Sequence, residues 1–99
     1  MNSRMEVLET LQRNAETLRA LGATALFMFG SAARDEIGPD SDIDLFIDYD
    51  RETDFDLIAQ VRLQQRLRVM LDREVDLITR GGLHPRLKSE IEHSSIQVF

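Results

Sequence analysis

Ninety-nine residues, 42% hydrophobic and 30% charged, allow one domain with a modest core and exclude a disordered chain. The net charge of -6 excludes a general nucleic-acid binder, which needs a basic face to neutralise phosphates, so no direct nucleic-acid partner is expected. The absence of cysteine excludes thiolate metal sites and thiol nucleophiles, so any metal must sit on oxygen or histidine.

The chain opens on "SRME", a capping box with Ser3 at the N-cap and Glu6 three residues on. Met5, Leu8, Leu11, Ala15 and Leu18 then mark one face of a predicted helix that Gly22 stops. This amphipathic, charged start is unlike a signal peptide, and no apolar run reaches the roughly 18 residues that span a bilayer, so a cytoplasmic location without a membrane partner is expected. "ATALFMF", residues 23 to 29, is short and evenly apolar and reads as a buried strand. "DIDLFID", residues 42 to 48, and "EVDLIT", residues 74 to 79, are the second and third strands. Between them "DFDLIAQVRLQQRLRVMLD" reads as a helix with Asp54 at its N-cap and Leu57, Val61, Leu67 and Met70 on its apolar side. The tail "HPRLKSEIEHSSIQVF" reads as a short helix with Pro85 in its first turn, then an apolar end in which Ile91, Ile96, Val98 and Phe99 are core, a dimer seam or a docking surface. No repeat or linker divides these elements, so residues 1–99 are expected to form a single domain.

The charge is local. Residues 34 to 56 carry two arginines against ten acids, whereas residues 1 to 33 are balanced and residues 57 to 99 are slightly basic. Within the acidic stretch, strand alternation puts Asp42 and Asp44 on one face and Ile43, Leu45 and Ile47 on the other. Two residues apart on one strand face means about 6.6 to 7 Å at Cα, so both carboxylates can lean onto one ion. Without a cation they repel and raise each other's pKa; a divalent ion inverts that. Asp76, between Val75 and Leu77, repeats the pattern in the third strand, and neighbouring strands would bring three carboxylates together. Gly30 and Ser31 supply a tight turn and a helix start, with backbone N-H groups and a hydroxyl aimed at one spot, suited to an anion. Phosphate on that side and divalent ions on the carboxylates is the arrangement that phosphoryl or nucleotidyl transfer needs.

Gly30 and Ser31, ten intervening residues, then Asp42, Ile43 and Asp44 resemble the signature of the polymerase-beta-like nucleotidyltransferase superfamily, and the length resembles its minimal nucleotidyltransferase (MNT) branch. Four fixed positions at roughly 6% each coincide about once in 10⁵ starting points. The resemblance covers nearly the whole chain and implies an α/β (α+β) fold, a small mixed β-sheet flanked by helices. It implies that Gly30 and Ser31 bind ATP, that Asp42 and Asp44 ligate two Mg²⁺ ions, and that Asp76 is a further metal ligand or the base for the incoming hydroxyl. It further implies a bicistronic toxin-antitoxin pair in which this protein is the antitoxin and transfers AMP from ATP to a tyrosine of a HEPN RNase toxin. Two alternatives stand beside this: a non-catalytic antitoxin that covers the toxin, and a nucleotidyltransferase acting on a small molecule such as an aminoglycoside. Homo-oligomers and hetero-oligomers with the toxin are both compatible with the sequence.

Other residues have a bland reading beside a functional one. Arg34, one helical turn past Ser31, either touches phosphate or pairs with Asp35, Glu36 or Asp40. Asp48, Asp50, Asp54 and Asp56 read as a solvated acidic loop and helix start. His84 reads as a helix-start residue and His93 as surface, while Tyr49 stacks on substrate or packs.

Overall fold

The computed structural model describes residues 3–99. Ser3 caps helix α1 (Arg4–Arg13) as the sequence predicts: its hydroxyl accepts from Glu6 N at 3.3 Å, and Ser3 N donates to the Glu6 carboxylate at 3.2 Å. The helix does not run unbroken to Gly22. Asn14 donates its side-chain amide to the Thr10 carbonyl at 2.7 Å, competing with the backbone ladder, and a second helix, α2, restarts over Ala15–Ala20. Gly22, at φ +119°, then turns the chain into β1 (Ala23–Phe29).

A four-residue helix, α3 (Gly30–Ala33), follows directly, and an irregular loop leads to β2 (Ile43–Tyr49). Helix α4 (Leu57–Leu71) is capped by Asp56, whose carboxylate accepts from Ala59 N at 2.9 Å, and not by Asp54; it ends on Asp72 in the left-handed region. Strand β3 (Val75–Thr79) runs into a 3-10 turn over Arg80–Gly82, and α5 (Lys88–Ser94) precedes a two-residue strand, β4 (Ile96–Gln97). Pro85 lies in the turn before α5, not in the helix, and β4 has no counterpart among the predicted elements.

The four strands form one mixed sheet in the order β3-β2-β1-β4. β1 is antiparallel to β2 and β4; β2 and β3 are parallel, and α4 supplies the crossover that a parallel pair requires. One face of the sheet carries Leu26, Met28, Ile43, Leu45, Ile47, Val75 and Leu77, all buried against Val7, Leu11 and Leu18 from the N-terminal helices and Leu63, Leu67 and Leu71 from α4. This corrects both predicted helix faces in part: Leu11, Leu18 and Leu67 are in the core as expected, with Leu8 and Met70 packed against it. Met5 is 63% exposed and Leu57 72% exposed, while Val7 and Leu63, which the sequence reading passed over, are in the core. Phe46 and Leu83 are buried outside that cluster, so the opposite face of the sheet has a small apolar layer of its own.

Candidate active site

That opposite face is ordered in rows by strand register. Phe29 of β1 stands beside Asp44 of β2, which stands beside Asp76 of β3. Two residues on, Phe27, Phe46 and Ile78 form an apolar row; four residues on, β2 presents Asp48. Adjacent strands lie about 4.8 Å apart, so Asp44 and Asp76 are nearer neighbours than residues two apart along one strand. Asp42 lies just outside β2, at its entrance, and is exposed. The sequence reading paired Asp42 with Asp44; register makes Asp76 the closer mate.

The Asp44 carboxyl is pushed above the usual carboxylate range, first by burial, then by the charges of Asp76 and Asp42, with Arg34 opposing. The charges of Asp76 and Asp42 therefore both bear on Asp44. Among the described residues they do not close into a group of three near enough to hold a metal as they stand. Their chemistry nonetheless fits a hard divalent cation: every donor is a carboxylate oxygen, and the like-charge repulsion at Asp44 is what such an ion relieves.

Gly30 sits against this carboxylate. It has φ +67°, a conformation that favours glycine, and a Cβ built on it would collide with Asp44 Oδ2, so a larger residue would have to displace that carboxylate. Ser31 is half-buried in the first turn of α3, and its hydroxyl has no hydrogen-bond partner among the described residues. The loop between the glycine-serine pair and Asp42 is held by two arginines that the sequence reading did not single out. Arg4 donates to the Ala33 carbonyl at 3.1 Å, and Arg73 donates to the carbonyls of Gly38 and Ser41 at 2.5 Å each. Arg34 pairs with Glu36 at 2.5 Å on the surface, the second of its two expected roles, although its charge still reaches Asp44.

Asp48 is no solvated loop acid. Arg80 grips both its oxygens, at 2.7 and 2.9 Å, and binds Glu92 of α5 at 2.6 Å. The same guanidinium lies 4.7 Å from the Phe27 ring centroid and 5.2 Å from that of Phe46, whose rings stack at 4.6 Å. Both carboxylates hold the Arg80 proton more tightly than usual. Alternation along β2 put Asp48 on the face of Asp44; what it lacked was the partner, thirty-two residues away. Tyr49 stacks on Phe55 with centroids 4.9 Å apart, the packing role. Exposed His84 accepts from Arg86 N through Nδ1 ahead of α5, and exposed His93 lies within that helix.

Residues 5–98 match the model of the nucleotidyltransferase domain family. The chain is 32% identical over 95 residues to a Methanocaldococcus jannaschii protein named "Putative protein adenylyltransferase", with 96% of this chain and 100% of that one covered. It superposes on the solved "Structure of putative minimal nucleotidyltransferase" with a TM-score of 0.73 at 33% identity, covering 90% of this chain and 93% of that one. The fold also recurs in a complex of tri-AMPylated Shewanella oneidensis HEPN toxin with MNT antitoxin, at a TM-score of 0.65 and 22% identity over 93% of this chain and 71% of that one.

Proposed function

The chain belongs to the nucleotidyltransferase domain family, in its minimal branch, and from that premise we propose that it is a protein adenylyltransferase that moves AMP from ATP to a tyrosine hydroxyl of a HEPN RNase toxin, acting as its antitoxin. The observation that carries the reading is the in-register pair of Asp44 and Asp76 beside a positive-φ glycine whose Cβ would displace the Asp44 carboxylate. Asp42, Asp44 and Asp76 would hold Mg²⁺, which when bound neutralises triphosphate charge and favours the ionised acceptor hydroxyl. Gly30 and Ser31 lie on the β1 side of Asp44, where backbone N-H groups and the unpartnered Ser31 hydroxyl can meet the triphosphate. Asp76 is exposed on β3, the edge strand, which leaves the acceptor that side of approach. In the transfer the acceptor oxygen bonds the α-phosphorus, the bond to pyrophosphate breaks, and the hydroxyl proton passes to the Asp76 side. A nucleotidyltransferase of this size that acts on a protein needs no enclosed pocket for its second substrate, and no described helix is long and apolar enough to cross a membrane.

One observation favours a second reading, neutralisation by covering. On α4, Leu57, Ile58 and Val61 are exposed, and Val69 is 80% exposed, so the helix offers an apolar surface to a partner. The deciding experiment incubates the protein with ATP, Mg²⁺ and the cognate HEPN toxin and follows toxin mass and RNase activity. The wild type should add adenylyl groups to a tyrosine and silence the RNase. The Asp42→Asn, Asp44→Asn double variant should bind the toxin and leave both unchanged; if it silences the toxin as well as the wild type does, covering is the mechanism.

A further inference from the structure

Beyond the Phe46 row, the carboxylate-bearing side of the sheet reaches the C-terminal ends of β2 and β3, where a cavity of about 150 Å³ opens. Asp48, Tyr49, Arg51, Thr79, Arg80 and Lys88 line it. Arg80 is committed to Asp48 and Glu92, a node of one positive and two negative groups. Arg51 and Lys88 form no ion pair among the described residues. Two unpaired cations converging on one recess outweigh the node's single excess negative charge, in a protein of net charge -6. Gly81 forms part of the wall, and a Cβ there would meet nothing within 4 Å, so the recess stays open to an incoming group.

Its place relative to the carboxylate row suggests what enters. The nucleotide side is β1, where Gly30 and Ser31 lie; the recess is at the end of β3, the strand that carries Asp76 at the open edge. Asp76 and Arg80 are four residues apart along nearly extended chain, or about 13 Å. An extended peptide covers that distance in about four residues.

We propose that this recess binds an aspartate or glutamate carboxylate of the acceptor protein about four residues from the hydroxyl that receives AMP, with Arg51 and Lys88 as its ligands. The inference rests on the protein-acceptor reading above. It makes the minimal domain select its acceptor by an acidic side chain near the tyrosine, and it gives two cations of an acidic chain a task, since neither forms an ion pair among the described residues.

The test is NMR on the isotope-labelled full chain titrated with an N-acetylated, C-amidated Tyr-Gly-Ser-Gly-Glu peptide, its Gln counterpart, and inorganic phosphate. The Glu peptide should move the Gly81 and Gly82 amide signals and the Arg51 Nε signal, and the Gln peptide should not. In the Arg51→Gln, Lys88→Gln variant the Kd for the Glu peptide should rise about three- to tenfold, the loss expected for two solvent-facing charge pairs. ATP with Mg²⁺ should still move the Gly30 signal in that variant. Equal responses to the Glu and Gln peptides, no response at those signals, or equal affinity in wild type and variant would each overturn the proposal. So would a stronger response to phosphate than to the Glu peptide, which would make the recess a phosphate site. A protein that binds the Glu peptide as expected but transfers no AMP to the toxin sinks the adenylyltransferase reading; one that modifies the toxin without peptide signals at the recess sinks this inference alone.

Discussion

Replacing Gly30 with alanine probes the tightest contact of the candidate site. Two costs arise. Gly30 has φ +67°, a region that costs an L-residue about 1 to 2 kcal/mol, and the new methyl would occupy the place of Asp44 Oδ2. The carboxylate is the end of a short side chain on a central strand, so it rotates away at small cost to the fold, and the damage falls on its orientation. In a domain of this size about 1 to 2 kcal/mol lowers the melting temperature by about 5 to 15 °C. Gly22→Ala is the matched control: its φ of +119° and the collision of its Cβ with the Phe55 ring also strain the fold, at a position away from the carboxylate row. Thermal melts with and without ATP and Mg²⁺ separate the two. Both variants should melt lower than wild type, but Gly22→Ala should keep the full ATP-dependent rise, and Gly30→Ala should lose most of it. Equal ATP-dependent rises in the two variants would refute the idea that Gly30 is there to make room for Asp44.

Asp44→Asn should melt higher than wild type at pH 7 in a chelator, because the folded state holds the Asp44 proton more tightly than the unfolded chain does. The stability linked to that proton is fully present below the unfolded pKa of about 3.9 and is lost as pH rises through the folded pKa, so the advantage of the variant should vanish near pH 3 and grow above it; melts across that range check the sign. Arg80→Met should cost about 1 to 2 kcal/mol in urea unfolding, discounted because its partners are about a third exposed, by leaving Asp48 and Glu92 unpaired and removing the cation over the Phe27 and Phe46 rings. Leu63→Ala should cost about 2 to 5 kcal/mol and Leu57→Ala less than about 0.5 by the same assay, and a reversed order would mean that α4 presents its other face to the sheet.

The placement of the candidate residues was legible because its code is local. A period of two along β2 necessarily places Asp44 opposite Ile43, Leu45 and Ile47, and a glycine-serine pair at a strand end is a turn into a helix whatever surrounds it. The capping box at Ser3 and Glu6 is likewise complete within one turn. The resemblance to the nucleotidyltransferase superfamily rested on Gly30 and Ser31 with Asp42, Ile43 and Asp44, and the family match and the similar fold uphold it.

What remained hidden depends on contacts between distant segments. Helix α4 is apolar on several sides, with Leu57, Ile58, Val61, Leu63, Leu67, Val69 and Leu71 all available, so two stripes satisfy helical spacing and packing against the sheet chooses Leu63, Leu67 and Leu71. The two residues of β4 are too few to show alternation and become a strand because β1 offers its free edge. Strand order and register belong to no single segment. They seat Asp76 beside Asp44 and bring Arg80 onto Asp48, turning an acid that alternation alone leaves unpartnered into the anchor of an ion-pair node. Sequence thus determined which side chains leave the core face, because alternation is a property of each strand alone. Tertiary structure decided which of them meet, because pairing depends on which strands become neighbours and how they slide into register.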